Sequence, residues 1–565
     1  MRNLIKLIHN TDYTEANFII RSLSGIVDYF SSEQDKVDFI AIHEIGASIV
    51  CEDRVSYGDW QTPVSLSEKI CDIHLSKFGS PDIVIEPTCG LGSFVLSALG
   101  RFPNIKEFYA IEINSQYTSE LKLKILSNAL NSPSQNHPDI YIYNMDFFEF
   151  DFKPIIEKSR RMGWNMAVIG NPPWVTNSAQ GKNNSKNIPL KSNIFKLKGI
   201  DAITGKSNFD ISEYITLKLL QLSEMNNGGI SFLLKNSVIR NILIKQHTER
   251  LHLGNIEQKL IDASNEFDVS VDASCFLAQL GCAPSFICNV SDFYSNMYIH
   301  QYGWVDDSFV SDTKSYKAVS KYDGKSAYIW RSGIKHDCAS ILELTLSDGI
   351  YTNGLGETVR IEEDLIYPLL KSSDINNYQT NQFRKFLIVP QRRVGDNTSK
   401  LKYSHPLAFS YLSKYENVFS SRKSSIYKGK DKFSIFGIGD YSFKPYKIVV
   451  SSLYKSIIFI IVSQVNGKPI MVDDTCYQLD FDSLDEARCI LDALNSNEIC
   501  SLLQSLVFKD AKRVVTKSLL MRLDLTQLCI DKGITIASQR FNNGVVQQLS
   551  LFDYRAIGFP GSGIQ

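Results

Sequence analysis

Residues 56–295 alternate short apolar runs with longer stretches whose apolar residues recur at helical spacing. The runs that predict buried strands are 82–86, 107–112, 140–144, 166–170, 229–234 and 274–280. A helix is predicted to begin at Phe94, directly after a glycine turn. Strands that alternate with helices form a mostly parallel sheet covered on both faces. We therefore predict an α/β domain whose ligand binds at the carboxyl ends of the strands.

The pattern changes on both sides of this region. Residues 1–55 contain apolar positions at helical spacing and predict a helical extension without catalytic residues. After residue 295, short strands are interrupted by turns such as Asp348-Gly349, and a helix is predicted at 484–494. We predict an α+β second domain at 296–540 and a C-terminal tail at 541–565.

Length and composition narrow the class of protein. A chain of 565 residues is too long for one hydrophobic core, which favours two domains. It contains no run of 18 apolar residues and no signal-peptide pattern, so we expect no membrane segment and a cytoplasmic location. The 11 cysteines form no C-x-x-C pair, and H-E-x-x-H is absent. We expect reduced thiols and no metal.

Charge is distributed unevenly along the chain. The net charge is −1, but residues 371–470 hold 17 Lys and Arg against 5 Asp and Glu, an excess of 12 positive charges. A second basic segment, 175–209, has six lysines and one acidic residue. Such segments are typical of polyanion binding. The candidate contacts with a polyanion are Lys182, Lys186, Lys198, Arg392, Arg393, Arg422 and Lys423.

Polar and small residues follow the predicted strands at regular places. The run Glu86-Pro-Thr-Cys-Gly-Leu-Gly-Ser-Phe94 places Gly90 and Gly92 in a tight turn that allows close approach of a ligand. Glu112 ends the next strand, where a carboxylate can accept from ribose hydroxyls. Asp146-Phe147 follows the third strand and can bind the amino group and the face of an adenine. Each of these signals is weak alone, but together they indicate a nucleoside-like ligand.

Asn171-Pro-Pro-Trp174 follows the fourth strand and carries the most specific chemistry. The side-chain oxygen of Asn171 and the Pro172 carbonyl can accept the two hydrogens of a planar amino group and direct its lone pair toward a methyl donor. The prolines fix the backbone that presents this carbonyl. Trp174 can stack on a base that has left the duplex.

In this order, the four elements resemble the amino-group DNA methyltransferases of the adenine-N6 type. Trp60-Gln-Thr-Pro63 resembles the N-terminal motif of the gamma-type members, a group that includes the TaqI methyltransferase. The resemblance implies a Rossmann-like domain with a mostly parallel seven-stranded sheet at 56–295, followed by a DNA-recognition domain. It also implies S-adenosylmethionine as cofactor, bound by Trp60, Thr62, Pro63, Glu86, Thr88, Cys89, Gly90, Gly92, Phe94, Glu112, Asp146 and Phe147.

The resemblance assigns the target adenine to Asn171, Pro172, Pro173 and Trp174. Phe267 would be a second stacking wall. Two positions depart from the common family pattern: Trp174 stands where Tyr or Phe is commoner, and Glu86 where Asp is frequent. Neither change alters the expected reaction, N6 methylation of a flipped adenine in double-stranded DNA.

Several alternatives remain open from the sequence. The same tetrapeptide occurs in enzymes that methylate RNA adenine or a protein glutamine amide, and a DNA-recognition subunit without catalysis is a further alternative. A nuclease within this chain is not expected, because no Asp…Glu-x-Lys set is evident. A separate restriction endonuclease or another defence subunit is an expected partner.

Overall fold

The computed structural model describes residues 2–45, 61–132, 137–174, 210–267, 272–378, 383–510 and 513–533. The chain divides into two compact units, Met1–Phe309 and Val310–Gln565. The division falls after residue 295 because strands at Ile287–Asp292 and Tyr298–Val305 still pair with the sheet of the first unit. The roles expected of segments 1–55, 56–295, 296–540 and 541–565 remain predictions. Within the described ranges, no helix combines the length and apolarity of a membrane span.

The first unit alternates helices and strands. Its helices are α1 (Arg2–Ile8), α2 (Tyr13–Ser24), α3 (Glu33–Ile45), α4 (Val64–Phe78), α5 (Ser93–Arg101), α6 (Ser115–Asn131), α7 (Lys153–Met162), α8 (Ile211–Ser223), α9 (Asn236–Glu249) and α10 (Ala263–Phe267). Its strands are β1 (Ile26–Val27), β2 (Ile83–Glu86), β3 (Glu107–Glu112), β4 (Asp139–Asn144), β5 (Asn165–Gly170), β6 (Asn227–Lys235), β7 (Leu253–Leu260), β8 (Ala273–Leu280), β9 (Ile287–Asp292) and β10 (Tyr298–Val305), with β11 (Ser308–Val310) at the division.

These strands form one mixed sheet in the order β1-β4-β3-β2-β5-β6-β8-β7-β9-β10-β11. The central seven strands, from β4 to β7, are parallel except for β8, which runs antiparallel to both neighbours. This confirms the Rossmann-like α/β prediction. The sheet is larger than the seven strands expected, because β1 extends one edge and β9, β10 and β11 extend the other.

The central strands are buried on both faces, as parallel strands covered by helices must be. Every residue of β2 is buried, and β5 is buried from Met166 to Gly170. Because β4, β3, β2 and β5 are adjacent and parallel, their carboxyl ends lie along one edge of the sheet. The candidate residues Glu86, Glu112, Asp146 and Asn171 all follow these ends.

The N-terminal helices belong to the same core. Asn17 donates to the carbonyl of Phe30 at 2.9 Å and accepts from its amide at 2.8 Å, which closes the chain between α2 and α3. Arg21 binds both oxygens of Asp139 at 2.8 Å, and β1 pairs with β4 in parallel. The extension therefore completes one edge of the sheet of the first unit.

The second unit is α+β, as predicted. Its strands are β12 (Arg331–Ser332), β13 (Glu343–Ser347), β14 (Ile350–Thr352), β15 (Thr358–Val359), β16 (Ile366–Leu370), β17 (Lys385–Ile388), β18 (Tyr446–Ser451), β19 (Phe459–Ser463), β20 (Met471–Val472) and β21 (Cys476–Phe481). They form sheets in the orders β12-β21-β18-β19 and β15-β14-β13-β17-β16-β20. Asp348 and Gly349, both at positive φ, make the predicted turn between β13 and β14.

Ten helices accompany these strands in the described part of the unit. They are α11 (Thr313–Val319), α12 (Ala339–Leu342), α13 (Ser372–Ile375), α14 (Leu401–Ser404), α15 (Pro406–Lys414), α16 (Glu416–Ser420), α17 (Leu484–Leu494), α18 (Asn497–Leu506), α19 (Lys517–Leu520) and α20 (Leu525–Lys532). Of these, α17 has the bounds predicted from the sequence.

Candidate active site

The glycine turn joins β2 to α5 and is shaped by two positive-φ residues. Gly90 has φ +53° and Gly92 has φ +83°. A Cβ on Gly92 would lie 2.2 Å from Cδ1 of Leu121 on α6, so the backbone can pass this point only without a side chain. Phe94, in the first turn of α5, is buried. The predicted turn is therefore present, and it is packed directly against the neighbouring helix.

Glu112 supports this turn from the end of β3. One of its carboxylate oxygens accepts from the Gly90 amide at 2.9 Å, and the other accepts from the Asn114 amide at 2.8 Å. Glu112 thus holds the loop in place, at the strand end where the resemblance expects a ligand's hydroxyl groups.

Glu86 and Thr88 present buried polar atoms in the same turn. Oε2 of Glu86 and Oγ1 of Thr88 have no hydrogen-bond partner among the described residues. Burial and the nearby charge of Glu112 raise the pKa of Glu86 well above its usual value, although the Val95 amide acts in the opposite direction. A buried acid without a counter-charge is costly, so this site favours a cationic or hydrogen-bond-donating ligand. Burial also raises the pKa of the Cys89 thiol, which keeps it protonated.

Gln61 and Thr62 join the glycine turn to the tetrapeptide. Pro63 is the residue before α4, and buried Thr62 accepts from Nδ2 of Asn171 at 3.3 Å. The neighbouring Gln61 accepts from the Leu91 amide at 3.2 Å. Sequence reasoning missed Gln61; its place within Trp60-Gln-Thr-Pro63 was the available signal. Trp60 lies outside the described residues.

Asp146 and Phe147 differ in the contacts that their side chains make with neighbouring residues. Oδ1 of Asp146 accepts from the Phe148 amide at 2.9 Å, which shapes the turn after β4. Phe147 is buried. The centroid of its ring lies 5.1 Å from the ring centroid of Phe152 and 4.8 Å from the Lys218 ammonium. Its expected role of covering a base remains a prediction.

Two exposed apolar side chains lie next to Glu112 and Asp146 in the sequence, and the sequence analysis did not identify them. Ile113 directly follows Glu112 and is 44% exposed, and Met145 directly precedes Asp146 and is 41% exposed. The end of each strand thus presents an acid beside an apolar surface. An apolar residue next to a strand-end acid was the available signal.

Asn171, Pro172, Pro173 and Trp174 follow β5 as predicted. Trp174 is 7% exposed, and its indole Nε1 donates to the Leu233 carbonyl of β6 at 3.3 Å. Its ring contacts that of Phe267, at the end of α10, with centroids 5.3 Å apart and planes at 68°. The two predicted stacking residues therefore meet, but this separation is that of a direct edge-to-face pair. A base must approach Trp174 from another side or displace this contact.

Of the predicted contacts with a polyanion, Lys182, Lys186 and Lys198 lie outside the described residues. In the second unit, two basic segments are fastened together: the Thr398 amide donates to Asp431 at 2.8 Å, and the Ile435 amide donates to Gln391 at 3.1 Å. We define the basic surface by the exposed cationic residues of 391–402 and 422–435, which are Arg392, Arg393, Lys400, Lys402, Lys423, Lys428, Lys430 and Lys432.

Arg422 differs from its predicted neighbours in this surface. Its guanidinium donates to the backbone carbonyls of Phe419 (3.0 Å), Ser434 (2.7 Å), Lys432 (2.9 Å) and His336 (3.3 Å). It also lies 3.7 Å from the ring centroid of Tyr427. These contacts stabilise the fold and would have to be released before Arg422 could bind a polyanion. Arg393 is freer, since its exposed ion pair with Asp440 can be exchanged at little cost.

A buried cluster in the second unit has the residue types of a metal site. His336, Glu343 and Asp473 offer ligand atoms within 4.8 Å of one another. The Lys371 ammonium lies 2.7 and 2.9 Å from the oxygens of Glu343 and 3.8 Å from Asp473. Burial disfavours ionised Glu343, but hydrogen bonds from His336 and Lys371 lower its pKa to about 2. The lysine thus already supplies a cation to this cluster.

Comparison with known proteins places the chain in a family. Over 477 residues, which are 84% of this chain and 97% of the relative, it is 38% identical to the type II methyltransferase M.NspV of Nostoc sp.. No family model matches the chain. Among solved structures, it is similar to the type IIL restriction-modification enzyme MmeI, with 12% identity, 92% of this chain and 78% of that chain covered, and a TM-score of 0.46.

A second similar structure is a nuclease-deletion mutant of the type ISP enzyme LlaGI, with 11% identity, a TM-score of 0.42, and 86% of this chain and 48% of that chain covered. The family follows from the relative alone, because the identity extends over most of both chains. The chain belongs to the type II methyltransferases of restriction-modification systems.

Proposed function

We propose that this protein methylates N6 of adenine in double-stranded DNA with S-adenosylmethionine as the methyl donor. The observation that carries the proposal is the tetrapeptide at the end of β5, where Asn171 is hydrogen-bonded to Thr62 of the segment that holds the glycine turn. The residues that would hold an amino group and those that would hold a nucleoside-containing donor are thereby joined in one site.

The residues of the turn fit S-adenosylmethionine. The buried acid Glu86 would pair with a cationic group, and Thr88 would supply a hydroxyl to a polar one. Glu112 would accept from the ribose hydroxyls. Ile113 and Met145 would offer apolar contact to the adenine ring, and Asp146 would accept from its amino group. Once bound, the cofactor would supply a methyl group on a positively charged sulfur.

The tetrapeptide would activate the target nitrogen. Oδ1 of Asn171 and the carbonyl of Pro172 would accept its two hydrogens, which localises the lone pair on nitrogen and aims it at the methyl group. The rate gain would come from alignment of two bound groups rather than from a strong base. The proton would leave after methyl transfer, since methylation makes the nitrogen more acidic.

The basic surface supports DNA as the substrate rather than a peptide. Eight exposed cationic side chains lie on two segments that are hydrogen-bonded together. Phosphate contacts of this kind position a protein on a duplex without reading sequence. A separate restriction endonuclease would be the functional partner, since M.NspV is named a type II methyltransferase.

Sequencing with base-modification detection, on DNA from cells that express the protein, tests this proposal. We expect N6-methyladenine at one recurrent sequence. A matched culture expressing Asn171→Ala should lack the modification while the purified variant still binds the cofactor. Modified cytosine or no modified base in the wild-type culture would contradict the proposal. Methyl transfer to RNA or to a peptide in place of duplex DNA would favour the alternative substrates.

A further inference from the structure

Lys235 lies at the end of β6, beside the strand that carries the tetrapeptide. Its ammonium donates to the backbone carbonyl of Trp174 at 3.0 Å and to Oδ2 of Asp210 at 2.6 Å. Both side chains of the ion pair are largely buried, with 19% of Lys235 and 10% of Asp210 exposed. Sequence reasoning gave no role to either residue.

Trp174 needs an external support that the prolines cannot give. A proline ring fixes φ of its own residue and restricts the conformation of the residue before it. Asn171, Pro172 and Pro173 are therefore constrained by the sequence, whereas Trp174 is not. Among the described residues, two hydrogen bonds hold Trp174, and both come from β6: its indole donates to the Leu233 carbonyl, and its own carbonyl accepts from Lys235.

The carboxylate of Asp210 is itself fixed by hydrogen bonds at the start of α8. Its other oxygen, Oδ1, caps α8 by accepting from the Ser212 amide at 3.0 Å and from the Ser212 hydroxyl at 2.6 Å. A charge-assisted hydrogen bond in a buried setting is stronger and more directional than an exposed one. The ammonium is thus aimed at the Trp174 carbonyl by a carboxylate that a helix end already fixes.

Lys235 also joins two points that are distant in the sequence. Trp174 and Asp210 bracket residues 175–209, which lie outside the described residues. Because the Lys235 ammonium binds both Trp174 and Asp210, the position of Trp174 is set by β6 and α8. The alignment of the tetrapeptide is therefore supported by described elements of the sheet unit.

We propose that Lys235, oriented by Asp210, is a positioning residue for methyl transfer. Lys235 fixes the carbonyl group of Trp174. It thereby also fixes the Trp174 indole and the acceptor oxygens of Asn171 and Pro172. The inference rests on the proposed function, since it concerns the same site. Loss of the bridge should slow the chemical step, because small misplacements of aligned groups cost about 100-fold in rate.

Single-turnover methylation of a duplex that contains the modified sequence, measured on the full chain, tests this role. We expect Lys235→Met to lower the rate constant about 10- to 100-fold, with dissociation constants for cofactor and DNA within about twofold of wild type. The matched control is Lys77→Met, which removes the half-buried ion pair of Lys77 with Glu257 in the same unit. This control should methylate at the wild-type rate.

Asp210→Asn is the second variant, because asparagine still caps α8 but its amide group would face the ammonium as a donor. It should reproduce the slower chemical step in a folded protein, and Lys235→Arg should recover part of the rate. Wild-type rates in both Lys235→Met and Asp210→Asn would overturn the inference. A wild-type protein that methylates no DNA would instead contradict the proposed function, so the two failures are distinguishable.

Discussion

At the scale of single residues, the site contains an acid that the free protein stabilises poorly. Burial, reinforced by the charge of Glu112, raises the pKa of Glu86 well above its usual value. A carboxyl group with a raised folded-state pKa stabilises the fold only at low pH. That contribution is lost as the pH rises from the unfolded value, near 4.5, toward the folded one. Glu86 therefore lowers stability at neutral pH.

Glu86→Gln should separate stability from ligand binding. An uncharged amide of the same shape removes the cost of ionising a buried acid, so we expect the variant to be more stable than wild type at pH 7.5 and similar to it below pH 4.5. The same amide cannot pair with a cation, so S-adenosylmethionine should bind more weakly. Urea unfolding at several pH values and titration calorimetry measure the two effects. A variant that loses stability at pH 7.5 would show that Glu86 is ionised and paired in the free protein.

Single residues also show where sequence reasoning stops. Glu86, Glu112 and the tetrapeptide could be predicted because each stands at the end of a largely apolar strand, and Asp146 because it comes two residues after a strand of alternating buried positions. Arg422 and Lys423 are neighbours in the sequence and look alike there. Only the fold shows that Arg422 binds carbonyls as distant as those of His336 and Ser434. Lys235 was missed for the same reason, since its partners are 61 and 25 residues away.

At the scale of elements, the turn between β2 and α5 depends on glycine for two reasons. Gly92 has φ +83°, and a Cβ there would lie 2.2 Å from Leu121. Gly100, near the end of α5, is exposed and has no heavy atom within 4 Å of an added Cβ. The start of α5 and its last turn thus offer a constrained glycine and an unconstrained one.

Gly92→Ala and Gly100→Ala should have opposite effects on stability. The left-handed backbone alone costs about 1–2 kcal/mol for a residue with a Cβ, and the contact with Leu121 adds to this, so Gly92→Ala should lower the free energy of unfolding and weaken cofactor binding. Gly100→Ala should raise the free energy of unfolding by about 0.5–1 kcal/mol through helix propensity. Chemical unfolding of both variants checks this; equal stability of the two would contradict the role assigned to Gly92.

The strands differ in how far their sequence reveals them. β2, β3 and β5 were predicted because they are nearly continuous apolar runs. β7 was missed because Glu257-Gln-Lys259 interrupts its apolar pattern. These polar side chains find partners inside the fold: Gln258 donates to Ser274 at 3.1 Å and accepts from Tyr302 at 2.7 Å. Local sequence cannot show that a polar residue will be satisfied by strands that come later in the chain.

At the scale of the whole molecule, charge is separated along a nearly neutral chain. Residues 371–470 carry an excess of 12 positive charges within a protein whose net charge is −1. The remainder therefore carries a net charge of −13. This distribution favours polyanion binding by residues 371–470. The salt dependence of DNA binding should consequently depend on the basic surface.

Replacing Lys423, Lys428 and Lys430 together by alanine should reduce that salt dependence. Each phosphate contact contributes about −0.9 to the slope of log affinity against log salt concentration, so the loss of three contacts should reduce the slope by about 2.7. Fluorescence anisotropy with labelled duplex at several salt concentrations measures it. The matched control replaces Lys6, Lys153 and Lys314, which are exposed outside the basic surface. An equal change in both triple variants would contradict a specific role for this surface.

The pairing of β1 with β4 has a further consequence for the behaviour of the protein in solution. A strand at the rim of a sheet presents unpaired amide and carbonyl groups, which can recruit another chain and lead to aggregation. β4 is an inner strand only because Ile26 and Val27 hydrogen-bond along it. The N-terminal helices keep that short strand in place, partly through Arg21 and Asp139. The first 30 residues therefore protect the part of β4 at Ile140 and Tyr141 from edge-to-edge association.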